Sequence, residues 1–200
     1  MVSNLYRQTI NRIIKIMQKT YISAQQLLES SFKLANQIFE DGFRPHFIVG
    51  IWRGGAPIGI AVQEYYEYRG VSTDHIAVRT SSYTGINQQS REIRVHGLHY
   101  LIENANAGES LLIVDDVFDS GRSVEALIAQ IKKQSRLNTP NDIRVACTWY
   151  KPNKRAVDIK PDYYVHESEE WLVFPHELHG LSRDEIIDGK KDLKNIIDLF

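Results

Sequence analysis

Two adjacent carboxylates, Asp115 and Asp116, end a run of four apolar residues, Leu111-Leu112-Ile113-Val114. Val117 and Phe118 follow, then the polar turn Asp119-Ser120-Gly121-Arg122-Ser123. Paired acids of this kind suit sugar hydroxyls or a hard cation that prefers oxygen ligands. Beyond the turn, Val124, Leu127, Ile128 and Ile131 fall at helical spacing. A strand, a glycine-containing turn and a helix, in that order, bring the turn's backbone N–H groups to a helix N-terminus. There, unpaired donors and the positive end of the helix dipole hold phosphate. Ser120 and Ser123 add hydroxyl donors, and Gly121 allows a tight turn and a close backbone approach. This is not a Walker loop, because no Lys-Ser/Thr follows a six-residue Gly-to-Gly span, and GxGxxG is absent. Acids ahead of a phosphate loop suit a ligand with hydroxyls or a metal at one end and a phosphate at the other. Ribose 5-phosphate has that layout. The competing reading is architectural: two strand-end aspartates and a capped helix.

The elements that must carry these residues follow from the pattern of the chain. The run at 111–114 has the length and continuity of a strand buried on both faces, as in the centre of a parallel sheet. Upstream, Ser23 with Gln26 reads as a capping box opening a helix whose inner side is Leu27, Leu28, Phe32, Ala35, Ile38 and Phe39. Gly42 and Pro45 close it. Residues 46–51 read as a short buried strand ending in Trp52-Arg53-Gly54-Gly55, and Pro57 suits the first position of a helix reaching Tyr68. Arg53 beside two glycines is a plausible oxyanion grip, a guanidinium next to backbone that can approach closely. Residues 75–79 read as a third strand, and 80–91 as a polar surface loop with the composition of a water-excluding lid. After a turn at 138–142, residues 143–149 read as a further strand, with Tyr150-Lys151-Pro152 at its end. The segment 181–200 reads as a terminal helix with Ile186, Ile187, Leu193, Ile196 and Ile197 inward. Alternating strands and helices with phosphate-type turns predict an α/β fold: an open, mostly parallel sheet with helices on both faces and the ligand over its carboxyl edge.

Composition narrows the classes of function. The chain of 200 residues fits one domain with a small appendage. We divide it into an N-terminal helical extension over 1–20 and a domain over 21–200. Residues 1–28 hold Arg7, Arg12, Lys15 and Lys19 and no acid, and Leu5, Ile10, Ile13, Ile14 and Met17 form an apolar stripe. A basic amphipathic leader is one reading; a helix packed on the body or on another subunit is the one adopted. Formal net charge is −1, so no basic field recruits nucleic acid. No apolar run approaches a membrane span and no secretory signal is visible. The single cysteine, Cys147, reads as a buried small hydrophobe and fits a reducing compartment. His96/His99 and His176/His179 are spaced i, i+3 but lack a convincing third ligand for zinc.

The stretch from Leu111 to Ser123 resembles the phosphoribosyl pyrophosphate (PRPP) fingerprint of type I phosphoribosyltransferases: an apolar strand, two acids, two apolar residues, then Asp-Ser-Gly-x-Ser. The resemblance implies PRPP as substrate, with Asp115 and Asp116 near the ribose hydroxyls and Mg2+. It also implies Asp119, Ser120, Gly121, Arg122 and Ser123 around the 5′-phosphate. Arg53-Gly54 resembles the pyrophosphate loop. Ser81-Ser82-Tyr83, Asn87-Gln88 and Arg91 resemble the catalytic lid of the 6-oxopurine branch, in which Arg91 would contact PRPP. Lys151-Pro152, Trp171-Leu172 and Pro175-His176-Glu177 look most like the base end of the xanthine-guanine phosphoribosyltransferases, within a small hood at about 145–180. Lys151 would then donate to the purine 6-oxygen, Trp171 stack on the ring, and Leu172 offer backbone groups to the base edge. Asp116 and Glu177 would place the metal, and Asp119 would take the purine proton. Two positions depart from the family pattern: Glu177 replaces an aspartate, and His176 replaces an aromatic residue. The implied activity is transfer of ribose 5-phosphate from PRPP to a free 6-oxopurine in purine salvage, by a cytoplasmic homodimer or homotetramer. A PRPP- or nucleotide-sensing protein of the same fold, or an enzyme for a different base, are the alternatives.

Overall fold

The computed structural model describes residues 19–83 and 92–199. In chain order the elements are β1 (Lys19–Tyr21), α1 (Ala24–Glu40), β2 (Phe47–Trp52), α2 (Gly55–Tyr68), β3 (Asp74–Tyr83) and β4 (Glu92–His96). There follow α3 (His99–Asn104), β5 (Ser110–Phe118), α4 (Arg122–Ser135), β6 (Asp142–Tyr150), β7 (Tyr163–Glu167), β8 (Trp171–Val173) and α5 (Arg183–Gly189). They form two compact units, one of residues 28–168 and one of the remainder.

The larger unit is built on a six-stranded sheet in the order β4-β3-β2-β5-β6-β7. Every pairing is parallel except β3 with β4. Residues 111–114 of β5 are completely buried, as an apolar run with both faces covered requires. Val49 of β2 lies opposite Ile113, and Ile113 opposite Val145 of β6. These three share one face with Leu101 of α3 and Val124, Leu127 and Ile131 of α4. On the other face α2 lies close: a Cβ on Gly50 of β2 would sit 3.0 Å from the Gly55 carbonyl oxygen, and one on Gly55 only 2.2 Å from that of Val114. Alongside α2, Phe39 of α1 packs edge-on against Tyr65 and Tyr66, and the Tyr66 hydroxyl donates to the Phe43 carbonyl at 2.8 Å.

Two expectations change in this unit. The inner side of α1 is Leu27, Ser30, Ser31, Leu34, Ala35 and Ile38, whereas Leu28 and Phe32 are exposed. A polar partner accounts for the rotation: the buried Ser30 hydroxyl meets His166 Nε2 at 2.9 Å, and His166 is stacked on Trp149. The third strand does not stop at Arg79. It runs to Tyr83 and pairs with β4, with Thr80 opposite Val95 and Tyr83 opposite Glu92. An antiparallel edge pair can leave one face in water, so threonine and serine fit there as readily as in a loop. Arg91 and the rest of 84–91 lie outside the described residues, as do the side chains of Ser82 and Tyr83.

In the smaller unit β1 pairs in parallel with β8, with Thr20 opposite Leu172. Lys19 and Thr20 are therefore strand rather than the end of a helical extension; residues 1–18 lie outside the described ones. The Ser23 hydroxyl accepts the Gln26 N–H at 3.0 Å, one half of the expected capping box. The segment at 145–180 divides, since β6 and β7 extend the main sheet and residues from 169 join the smaller unit. The terminal helix is also broken. After α5, which Ser182 and Glu185 cap reciprocally, a 3₁₀ segment Lys191–Leu199 carries a non-helical Ile196. Ile186 is buried, but Ile187 and Ile196 are exposed. A glycine and a lysine that turns inward, Gly189-Lys190, supply the break. Among the described residues no helix is long and apolar enough to cross a membrane.

Candidate active site

The carboxyl end of β5 delivers Asp115 and Asp116. Asp116 is 9% exposed and braced on several sides. Its Oδ1 accepts the Val117 N–H at 2.7 Å, its N–H donates to Asp115 Oδ1 at 3.0 Å, and its carbonyl accepts the fully buried Thr148 hydroxyl at 2.7 Å. Burial, and then the neighbouring charge of Asp116, push the Asp115 carboxyl well above the usual range. Gly54 faces this pair: a Cβ there would lie 1.9 Å from Asp116 Oδ2. The glycine after Arg53 is thus required by the acid it abuts. Arg53 itself is exposed, follows a cis Trp52–Arg53 peptide, and accepts the Ala56 N–H on its carbonyl at 3.2 Å.

The turn beyond β5 has the phosphate-loop form. Gly121 has φ +78°, and a Cβ on it would come within 2.5 Å of both Phe118 and Val157. Gly121 at the start of α4 has no side chain to cap it, and the Ser120 hydroxyl accepts the Arg122 N–H only at 3.5 Å, while Lys132 and Lys133 stand in the last turn. Asp115, Asp119, Ser120, Gly121 and Ser123 line a small hollow of ≈ 80 Å³. Ser123 is half-buried and Arg122 exposed. The loop after β6 braces the turn: the Lys151 N–H donates to the Phe118 carbonyl and the Ala156 N–H to that of Ser120, both at 2.9 Å.

Lys151 also brings a charge. Its side chain is only 6% exposed, and its Nζ lies 3.6 Å from Asp119 Oδ2. That separation is a Coulombic contact rather than a hydrogen bond. Two residues assigned to the two halves of base chemistry, 32 positions apart in sequence, therefore meet at one sheet edge.

Trp171, Leu172 and Glu177 belong to the smaller unit. Trp171 is 60% exposed, and Leu172 is buried on the β1 ladder. Glu177 closes its own turn: its Oε2 accepts the Phe174 N–H at 2.9 Å, and its N–H donates to the Phe174 carbonyl at 3.0 Å. His176 stacks on Phe174 at 5.8 Å. Sequence reasoning passed over Thr148, Ala156, Val157 and the buried Lys190. Thr148 alone left a trace, as the one hydroxyl in the apolar run 145–149.

Paired acids and a phosphate-type turn at the carboxyl edge of a parallel sheet, in this connectivity, define the class of type I phosphoribosyltransferases. The family model of the phosphoribosyl transferase domain matches residues 17–183, and the chain belongs to that family of PRPP-dependent glycosyltransferases. A hypoxanthine-guanine phosphoribosyltransferase of Lactococcus lactis subsp. lactis is 28% identical over 151 residues, spanning 74% of this chain and 76% of the relative. The crystal structure of a purine phosphoribosyltransferase from Pyrococcus horikoshii superposes with a TM-score of 0.65 at 25% identity, covering 82% of this chain and 97% of the other. A xanthine-guanine-hypoxanthine phosphoribosyltransferase of Helicobacter pylori shares the fold at 19% identity and a TM-score of 0.63, over 90% and 99% of the two chains.

Proposed function

We propose that this protein transfers the 5-phosphoribosyl group of PRPP to a free 6-oxopurine (xanthine, guanine or hypoxanthine) and releases pyrophosphate. The observation that carries the reading is the buried Lys151 ammonium, 3.6 Å from Asp119 beside the phosphate turn. A 6-oxopurine offers an acceptor oxygen and, near it, a ring nitrogen that must lose a proton as another nitrogen bonds to the sugar. An ammonium and a carboxylate side by side match those needs: Lys151 donates to the oxygen and Asp119 takes the proton. The relatives named for hypoxanthine-guanine and purine substrates support the same acceptor class.

In this reading the Gly121 turn and the start of α4 hold the 5′-phosphate, with Ser120 and Ser123 donating. Asp115 and Asp116 hold the ribose hydroxyls, and Arg53 with Gly54 grips the pyrophosphate. The acid pair also fits a divalent cation, because two crowded carboxylates are oxygen donors whose repulsion a cation relieves. Substrate phosphate oxygens would complete the coordination shell of such a cation, as is usual for Mg2+ held by one or two carboxylates. Mg2+ bound there would stabilise the charge that builds on departing pyrophosphate. To Trp171, Leu172 and Glu177 this reading gives the roles that the family resemblance implies: stacking on the purine, offering backbone groups to the base edge, and helping to place Mg2+ and pyrophosphate. Free purines and PRPP are metabolites of the cytoplasm, which is the compartment this reading assigns.

The test is pyrophosphate release from magnesium-PRPP with a panel of xanthine, guanine, hypoxanthine, adenine and uracil. We expect turnover with 6-oxopurines. Lys151→Ala should lose about 1.5–3 kcal/mol of their binding, the worth of a charged hydrogen bond. It should affect adenine, which offers an amino group at that position, far less. Adenine or uracil as the better acceptor for the parent protein would overturn the assignment.

A further inference from the structure

Lys190 is 5% exposed, and its ammonium donates to the carbonyl of Phe174, itself 1% exposed. Phe174 is thereby held at both backbone groups. Its N–H donates to Glu177 Oε2 at 2.9 Å, and its carbonyl accepts both the Lys190 ammonium and the Glu177 N–H. Immediately upstream, Leu172 and Val173 are fixed on the other side by β1, and the Ile22 N–H donates to the Val173 carbonyl at 2.9 Å. The strand-to-turn segment 172–174 is pinned from both ends, once by a ladder and once by a buried charge. Burying an ammonium is costly even with the Glu177 and Asp192 carboxylates opposing, and an apolar side chain of similar length would fill the place without that cost. A role confined to stability is therefore poorly served by lysine.

We infer that Lys190 is a positioning residue for the acceptor base, holding rigid the Leu172–Phe174 backbone whose polar groups would meet the base edge. This rests on the reading of Leu172 as a base-binding residue. Glu177 completes the clamp, its carboxylate accepting the Phe174 N–H and its own N–H donating to the carbonyl that Lys190 also grips. The extra methylene that distinguishes it from an aspartate gives it the reach to the Phe174 N–H. Lys190 also lines a hollow of ≈ 480 Å³ together with Tyr21, Pro175 and Leu193, which gives small solutes a route to the place its side chain would vacate.

The experiment uses the full chain with Lys190→Met, which keeps the apolar stem, and Lys190→Ala, which opens a hole. Steady-state kinetics give the purine KM, calorimetry gives the affinity for magnesium-PRPP, and hydrogen exchange reads the peptide spanning 171–178. We expect the purine KM to rise about tenfold in both variants, the lower range for loss of one charge-assisted hydrogen bond. The PRPP dissociation constant should stay unchanged and exchange at 174–177 should quicken. Ethylammonium, but not sodium at equal ionic strength, should restore the KM of Lys190→Ala and leave Lys190→Met as it was. An unaltered KM and unaltered exchange in Lys190→Met overturn the proposal. So does parallel loss of PRPP binding, or unfolding of both variants, either of which makes Lys190 a general stability element. A parent protein that uses no purine overturns the functional reading instead. The exchange comparison needs no activity and still decides whether the clamp exists.

Discussion

The Asp119 carboxylate and the Lys151 ammonium lie 3.6 Å apart, so each sets the electrostatic environment of the other. Lys151 is almost wholly removed from water, and a purine docked against the pair would meet both charges at once. Asp119→Asn preserves shape and one acceptor oxygen but abolishes basicity. Turnover should fall by about 10²- to 10⁴-fold, the usual worth of a positioned general base. The PRPP dissociation constant should change little, because the phosphate contacts proposed for the α4 N-terminus and Ser123 would be intact. Steady-state kinetics and calorimetry on the one variant separate this from a loop-shaping role, which would lower both together. Full turnover in Asp119→Asn would remove the general base altogether.

At the scale of elements, two histidines held by strands give the fold a predictable response to acid. Burial lowers His75 on β3 below its ordinary value, with Asp74 opposing, and burial followed by Lys33 lowers His166 on β7. The folded state binds these protons more weakly than the unfolded state does. The stability they contribute is therefore present above about pH 6.5, the unfolded value, and is lost as pH falls through the folded values. Asp115 has the opposite sign, since its raised carboxyl takes up a proton more readily when folded. The thermal midpoint should accordingly drop between pH 7.5 and 5.5, and His75→Phe with His166→Phe should flatten that drop. An identical slope in the double variant would show that other groups carry it. The same elements show what a sequence can and cannot disclose. β5, its turn and α4 were legible because contiguous residues encode strand burial, a positive-φ glycine and a helix start together. Both strands flanking β5 were legible for the same reason. The true inner face of α1 was not, since Ser30 turns inward only because His166, 136 residues away, supplies a partner. Nor was the end of β3, where an antiparallel edge accepts serine and threonine that read equally well as a loop. Ala156 and Lys190 make their contacts between distant segments, and nothing in their local sequence marks them; Thr148 shows only as a hydroxyl in an apolar run.

For the molecule as a whole, a ligand that binds only the folded form must raise its stability by mass action. At a concentration about 100 times its dissociation constant, magnesium-PRPP should add about 2.7 kcal/mol. In a chain of this size each kcal/mol shifts the midpoint by about 2–4 °C. Scanning fluorimetry should therefore show a rise of about 5–10 °C. Chelation of the metal should remove most of it, and Asp116→Ala should abolish it while leaving the unliganded midpoint near that of the parent. A full shift in Asp116→Ala would exclude the acid pair from substrate binding.

The void at Gly54 that the Asp116 carboxylate fills also constrains how this sequence can drift. With a Cβ due to land 1.9 Å from Asp116 Oδ2, position 54 cannot gain a side chain while the acid is in place. Gly54→Ala should cost about 1–3 kcal/mol in the parent, the range for overpacking a filled site. It should cost much less where Asp116→Gly has already vacated the space, a non-additivity that a double-mutant cycle on thermal midpoints would measure. Mutational paths through position 54 then open only after the acid has gone, and with it the ribose contact proposed for it. A lineage that keeps the chemistry keeps the glycine, and one that loses the glycine has already left the chemistry behind.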